Sequence, residues 1–131
     1  MITPSASDRI VVDSAGWIEY LAGGPKANGF AAYLDSQAVL LLPSIVVYKV
    51  LKKLYRELGK GIADVFMSHA FDLGNRLIPL TLQIALKASI VSLEDRLPMT
   101  DAIIYTTASH ENAQLITSDA HFANLPGVVL I

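Results

Sequence analysis

The 131-residue chain contains no cysteine, few charged residues and no long apolar run. Without cysteine it can form neither a disulfide framework nor a thiolate metal site, and this fits a reducing compartment. The longest apolar stretch, residues 38–48, is too short to span a bilayer and contains Pro43. The N-terminus also lacks the basic and then apolar segments of a secretory signal. We therefore expect a soluble cytoplasmic protein that does not associate with a membrane.

The composition leaves the class of partner open but limits the architecture. Charged residues make up 17% of the chain and the net charge is −2, so the overall balance neither favours nor excludes nucleic acid. Hydrophobic residues reach 53%, which is more than one core requires. The excess is explained either by a deeply buried three-layer fold or by an apolar surface that faces a second copy or another protein. The length suits one domain, residues 1–131.

Short apolar runs alternate with segments of helical spacing along the chain. This alternation predicts an α/β domain in which a parallel sheet has helices on both faces. The predicted strands are residues 10–12, 39–42, 77–80, 114–117 and 128–130. The predicted helices are one that Ser14 caps and Gly23 ends, then 26–36, 45–58 and 62–73, one carrying Leu82, Leu86 and Ile90, and 101–111.

Three aspartates stand where a predicted strand ends or a predicted helix begins. Asp13 follows the first strand, Asp101 opens the last helix, and Asp119 follows the fourth strand. In parallel sheets such strand ends meet at one edge, where sites are built. Three carboxylates gathered there would repel one another unless a divalent metal lay between them, and oxygen ligands suit Mg²⁺ or Mn²⁺. Aspartate also caps helices, which would explain any one of them, but three matched positions favour a site.

Three segments, in this order, resemble the motifs of PIN domains, in particular of VapC-type toxins from toxin–antitoxin pairs. They are residues 11–21 (VVDSAGWIEYL), 97–108 (LPMTDAIIYTTA) and 115–122 (LITSDAHF). The resemblance covers nearly the whole chain. It implies a three-layer α/β/α fold of about five parallel strands in the order 3-2-1-4-5. It also implies a homodimer bound to a small antitoxin protein.

The resemblance further implies an endoribonuclease that depends on Mg²⁺ or Mn²⁺. In such enzymes a metal-activated water attacks the phosphorus in line and leaves a 5′-phosphate and a 3′-hydroxyl. Asp13, Asp101 and Asp119 would be metal ligands, directly or through water. Ser14 and Thr117 would hydrogen-bond to the carboxylates and orient them.

The chain departs from the family pattern at Lys49. Residues 43–51 (PSIVVYKVL) match the helix in which the family places a glutamate, and lysine stands at the acidic position. An alternative register would make Glu57 the acid, but it lies about 12 Å further along the helix. We predict that the Lys49 ammonium pairs with Asp13 or Asp101, that metal binding is weak or absent, and that activity is severely reduced.

A basic stripe follows Lys49 along the same predicted helix. Lys53, Arg56 and Lys60 fall at spacings that share one face with Lys49, so they could hold the phosphate backbone of RNA. A solvated helix face would show the same pattern. Tyr48 and Tyr55 could stack on bases, although we expect them in the core.

Other features carry less weight. The three histidines, His69, His110 and His121, have no ligand or general-base spacing, and we expect surface or capping roles. A phosphoryl-accepting receiver domain would need an acid after the third strand, which ends at Leu80 without one, and a haloacid-type phosphatase would need an aspartate at Ala15. The main alternative to the ribonuclease is a PIN-fold protein that serves as a non-catalytic binding or assembly module.

Overall fold

A computed structural model describes residues 4–131, apart from the side chain of residue 75. Its strands are β1 (Arg9–Val12), β2 (Val39–Pro43), β3 (Leu77–Ile78), β4 (Gln114–Thr117) and β5 (Val128–Leu130). Its helices are α1 (Ser14–Ala22), α2 (Ala27–Leu34), α3 (Ser44–Glu57), α4 (Lys60–Asp72), α5 (Leu82–Glu94) and α6 (Met99–His110). Two short 3₁₀ turns cover Gly74–Arg76 and Ala120–Phe122.

The five strands form one parallel sheet in the order β3-β2-β1-β4-β5. This confirms the predicted order, and helices cover both faces, as predicted. The central strand β1 pairs with both neighbours, so Val11 lies between Leu41 and Leu115. All three side chains are buried, as expected for strands enclosed by two helical layers.

Local sequence explains where several elements end. α1 ends at Gly23, whose φ of 68° is the left-handed conformation that glycine adopts without strain. Gly59, with a φ of 92°, separates α3 from α4. β3 has only two residues, since Pro79 follows it and cannot donate a ladder hydrogen bond. The predicted strand over 77–80 was therefore two residues too long.

The core lies between the sheet and the helical layers. On α3, the inward face carries Val46, Val50 and Leu54, all fully buried at a spacing of four residues. Trp17 of α1 packs edge-on against Phe66 of α4 at a ring separation of 5.2 Å. In the described part of the chain, no helix is long and apolar enough to cross a membrane.

Candidate metal centre and basic groove

Asp13 is the residue at which β1 passes into α1. It caps α1, because its Oδ1 accepts a hydrogen bond of 2.9 Å from the Gly16 amide. The predicted cap, Ser14, is instead the first residue of the helix. The other carboxylate oxygen of Asp13, Oδ2, accepts a hydrogen bond of 2.5 Å from the Thr117 hydroxyl. Thr117 thus makes the contact predicted for it.

The Asp13 carboxyl is buried, with 5% of the residue exposed. Burial is the largest effect on its pKa and raises it above the usual 3.8, because the charged form loses its hydration. The hydrogen bonds from Thr117 and Gly16 act in the opposite direction. Two charges act from further away: Asp119 raises the pKa of Asp13, and Lys49 lowers it.

Asp119 stands just beyond β4, at the same edge of the sheet. Its amide donates a 3.0 Å hydrogen bond to the hydroxyl oxygen of Thr117, which in turn donates to Asp13. One buried hydroxyl therefore links the two aspartates. The Asp119 Oδ1 atom accepts a 2.9 Å hydrogen bond from the amide of His121 and so caps the 3₁₀ turn.

Asp101 lies in the first turn of α6, where the helix dipole favours a carboxylate. It meets Asp119 through a side chain that the sequence did not single out, His121. The His121 Nδ1 atom is 3.3 Å from Asp101 Oδ2 and 3.4 Å from Asp119 Oδ1. The structure thus gathers the three predicted aspartates, here called the acid cluster (Asp13, Asp101 and Asp119), at one end of the sheet.

The donor atoms suit a divalent cation. One atom each from Asp101, Asp119 and His121 lies within 4.8 Å of the others, close enough for one ion to gather them after small movements. Two carboxylates and an imidazole are ordinary ligands for Mn²⁺ and similar metals. Asp13 is not part of this group, and the hydroxyl of Thr117 holds its carboxylate through a hydrogen bond.

Lys49 extends from α3 beside this cluster and is half-buried. Among residues 4–131, the ion pairs within 4.0 Å do not include Lys49, so the predicted pairing with Asp13 or Asp101 was wrong for this structure. Its charge still reaches Asp13, whose pKa it lowers. Lys49 therefore affects the acid cluster by long-range electrostatic attraction and not through a direct ion pair.

A groove of about 430 Å³ opens next to the acid cluster. We call it the basic groove, because four cations of α3 line it: Lys49, Lys52, Lys53 and Arg56. Ser14 and Thr100, the chain neighbours of Asp13 and Asp101, also line it. The groove therefore lies beside the acid cluster and runs along α3. Ser14 belongs to its wall, and no hydrogen bond to a carboxylate is found for the Ser14 hydroxyl within the described residues.

Two predictions about the basic stripe need correction. Lys60 lies beyond the Gly59 break, in α4, where it pairs with Asp64 at 2.7 Å, so it is not on the α3 face. Tyr48 and Tyr55 are both more than half exposed and not in the core.

Glu57, the alternative acid, pairs with Lys53 and Arg56 at the end of α3, away from the acid cluster.

A family model described as the PIN domain matches residues 10–128 of the chain. No curated protein matches it. Among solved structures it is similar to a toxin–antitoxin complex from Klebsiella pneumoniae, with a TM-score of 0.73 and 23% identity over 92% of this chain and 95% of that one. It is also similar to VapC20 of Mycobacterium tuberculosis, a toxin that cleaves the sarcin–ricin loop, with a TM-score of 0.72 and 20% identity over 91% and 96%.

A third similar structure is VapBC2 from Rickettsia felis bound to a DNA fragment from its promoter. Here the TM-score is 0.68 at 17% identity, over 94% of this chain and 97% of that one. At such identities the structural likeness establishes the fold, while the family model extends over nearly the whole length of the chain.

Proposed function

The chain belongs to the PIN domain family, and we propose on that premise that it is a metal-dependent endoribonuclease toxin whose activity is impaired by Lys49. The observation that carries the proposal is the convergence of Asp13, Asp101 and Asp119 beside a groove lined by four cations. Carboxylates that can hold a metal, set next to a phosphate-binding surface, are the two parts that hydrolysis of a phosphodiester needs.

Each part of the site has a distinct task. Asp101 and Asp119 are the carboxylates best placed to hold Mg²⁺ or Mn²⁺, which when bound supplies an activated water and stabilises charge that develops on the phosphoryl oxygens. Asp13 adds negative charge close to Asp119. Thr117 keeps Asp13 in position through its 2.5 Å hydrogen bond, as outer hydrogen bonds do in many metal sites.

The basic groove would hold the RNA backbone. Lys52, Lys53 and Arg56 project from α3 into solvent along a surface that starts beside the acid cluster. Contacts of this kind are made to phosphates and position the strand without reading its sequence. Tyr48 is exposed at the same groove and could stack on a base.

Lys49 explains why the activity is expected to be low. A unit charge about 4 Å from a divalent ion is repelled by roughly 8 kcal/mol at an effective dielectric of 20, and the repulsion halves when the distance doubles. The flexible side chain can swing away and avoid part of this cost. Lys49 nevertheless repels the ion, whereas a glutamate at the same position could bind it.

Replacing Lys49 with glutamate tests the proposal. We expect Lys49→Glu to bind Mn²⁺ at least about tenfold more tightly than the unaltered chain, since each tenfold corresponds to about 1.4 kcal/mol of the repulsion removed. RNA cleavage should rise with it. The measurements are a Mn²⁺ titration and the release of 5′-phosphorylated fragments from a mixed RNA pool.

The matched control is Lys52→Glu, which makes the same change of charge in the same groove, three residues further along α3. It should weaken RNA binding without raising the affinity for Mn²⁺. If Lys49→Glu neither binds Mn²⁺ nor cuts RNA while remaining folded, the nuclease proposal is wrong.

The presence of Lys49 also favours a second candidate, a non-catalytic PIN-fold binding module. The groove holds four cations, and Lys49 has no carboxylate partner within 4.0 Å among residues 4–131. Such a groove could bind an RNA strand without cleaving it. This candidate predicts that the unaltered chain binds RNA with a steep salt dependence and that Lys49→Glu loses binding without gaining cleavage.

The proposal extends to partners. We propose that the chain forms a homodimer and binds a small antitoxin protein in the cytoplasm, where its RNA substrate is found. Binding of an antitoxin is supported by the similar structure from Klebsiella pneumoniae, which is of a toxin–antitoxin complex. The large exposed apolar side chains of α4 and α5 provide surface for such partners.

A further inference from the structure

The side chain of His121 reaches the carboxylates of both Asp101 and Asp119. Its Nδ1 atom is 3.3 Å from Asp101 Oδ2 and 3.4 Å from Asp119 Oδ1. Sequence reasoning assigned it a surface or capping role. The spacing of Asp119 and His121, two residues apart, does not by itself predict a shared site. The 3₁₀ turn that Asp119 caps brings the imidazole of His121 close to the Asp119 carboxylate.

We propose that His121 is the third protein ligand of the bound divalent ion. It would supply the ligand that Lys49 cannot supply. The inference rests on the proposed metal-dependent function and goes beyond it, because it changes the donor set from oxygens alone to two oxygens and one nitrogen. One carboxylate oxygen each from Asp101 and Asp119 and one ring nitrogen of His121 form this set, and all lie within 4.8 Å of one another.

The distances agree with shared coordination. Two donors bound to one ion at about 2.1 Å lie about 3.0 Å apart at adjacent octahedral positions and about 3.4 Å apart at tetrahedral ones. The two nitrogen–oxygen separations, 3.3 and 3.4 Å, already lie at the upper end of that range. The third separation, between the two carboxylates, is within 4.8 Å, so moving these oxygens closer together would complete the set.

The fold holds the histidine in this place from two sides. The His121 amide donates to Asp119 Oδ1 at 2.9 Å, which ties the backbone of the ligand to the neighbouring carboxylate. The next residue, Phe122, is completely buried and stacks against Tyr105 of α6, the helix that carries Asp101. The His121 side chain itself is 63% exposed, which leaves the outer side of the site open to water and to a phosphate.

Nitrogen ligation has consequences for the choice of metal. Imidazole suits borderline ions, whereas Mg²⁺ prefers oxygen donors. We therefore expect Mn²⁺ or Co²⁺ to bind more tightly than Mg²⁺.

The test detects the nitrogen directly, without any assay of activity. Pulsed electron paramagnetic resonance of the Mn²⁺-loaded chain should show a coupling to a directly bound ¹⁴N nucleus, replaced by a ¹⁵N signal when the histidines carry ¹⁵N. His121→Gln should abolish the coupling and weaken Mn²⁺ binding about tenfold or more. His110→Gln is the matched control, because His110 lies at the end of α6 beside Lys87, and it should keep both.

The outcomes separate this inference from the proposed function. Mn²⁺ bound without nitrogen coupling would overturn the role of His121 and leave the nuclease proposal standing. If the unaltered chain binds no Mn²⁺, the same spectra are recorded on Lys49→Glu, where a missing nitrogen coupling again rejects His121. Absence of metal binding and of RNA cleavage in both chains would reject the inference and the function together.

Discussion

The carboxyl of Asp13 is buried at the end of β1, and its charge is costly there. Burial raises its pKa above 3.8 despite two hydrogen bonds, so the folded chain binds the Asp13 proton more tightly than the unfolded chain does. The ionised group therefore destabilises the fold. That cost is present in full above the folded-state pKa and disappears as the pH falls below 3.8. A buried acid kept at a cost in stability is typical of a functional site.

Asp13→Asn should accordingly make the metal-free chain more stable at pH 7. Asparagine keeps an oxygen for the Gly16 amide and carries no charge, so the desolvation cost is removed. Urea unfolding in the presence of a chelator, repeated from pH 7 to pH 3, measures the difference between the two chains. The gain should shrink as the pH falls. A difference that stays constant down to pH 3 would show that charge is not its cause.

Sequence reasoning succeeded for residues whose place follows from topology and failed for those placed by local geometry. Asp13 and Asp119 could be located because parallel strands end at one edge. The expected surface position of His121 is confirmed, but its contacts with Asp101 and Asp119 could not be predicted, because they depend on a 3₁₀ turn that no spacing rule describes. The Lys49 pairing also failed, since a charge pattern does not determine which way a flexible lysine side chain extends.

Among the elements, α1 shows how closely the site end of the fold is packed. A Cβ added at Gly16 would lie 2.5 Å from a ring carbon of Phe30 and 2.6 Å from a methyl of Val12. Both neighbours are fully buried, so neither can move freely. The first turn of α1 therefore leaves no room for a side chain at position 16, and the position of the Asp13 cap depends on that close approach.

Gly16→Ala should lower the free energy of unfolding by about 1–3 kcal/mol, because overpacking outweighs the helix propensity that alanine adds. The control is Gly61→Ala in the first turn of α4, where an added Cβ meets nothing within 4 Å. It should stabilise the chain by up to about 1 kcal/mol. Denaturant unfolding of both variants measures the contrast. Equal effects at the two positions would mean that the contact with Phe30 and Val12 is not tight.

The basic stripe shows where element boundaries limit prediction. Its spacing predicts one continuous face from Lys49 to Lys60, although the sequence also predicts that the helix ends at Gly59. The break moves Lys60 into α4, where Asp64 neutralises it. The part on α3 was placed correctly because helical periodicity is reliable between two breaks.

For the molecule as a whole, alternation of strands and helices was enough to predict a parallel sheet, and the resemblance to PIN domains supplied its order. The surface was harder to predict. Leu82, Leu86 and Ile90 have the spacing of a core-facing helix, yet all three are more than half exposed, and Ile84 and Ala88 are the buried side chains of α5. An apolar face looks the same in sequence whether it packs on its own core or on a partner.

The exposed face of α5 suits a second copy of the chain. Leu82 is 76% exposed and Leu93 82%, and they project next to an apolar groove of about 320 Å³ between α5 and α6. Small residues, among them Ala85 and Ser89, line that groove. The protruding side chains of one copy could enter the groove of a second copy, and the reverse contact would form at the same time. A two-fold symmetric interface requires such a self-complementary surface. The helix carries only two charges, Lys87 and Glu94, so a strongly charged partner has little to bind.

If the proposed homodimer forms through this face, Leu86→Glu should shift it toward monomer, because the change would bury a carboxylate without a partner in the contact. Sedimentation velocity at micromolar concentration measures the change. The control is Phe71→Glu, which places the same charge at a side chain that is 73% exposed, on α4 rather than on α5. It should leave the dimer intact. Dissociation by Phe71→Glu and not by Leu86→Glu would assign the dimer contact to α4, and a chain that is already monomeric would reject the self-complementary face.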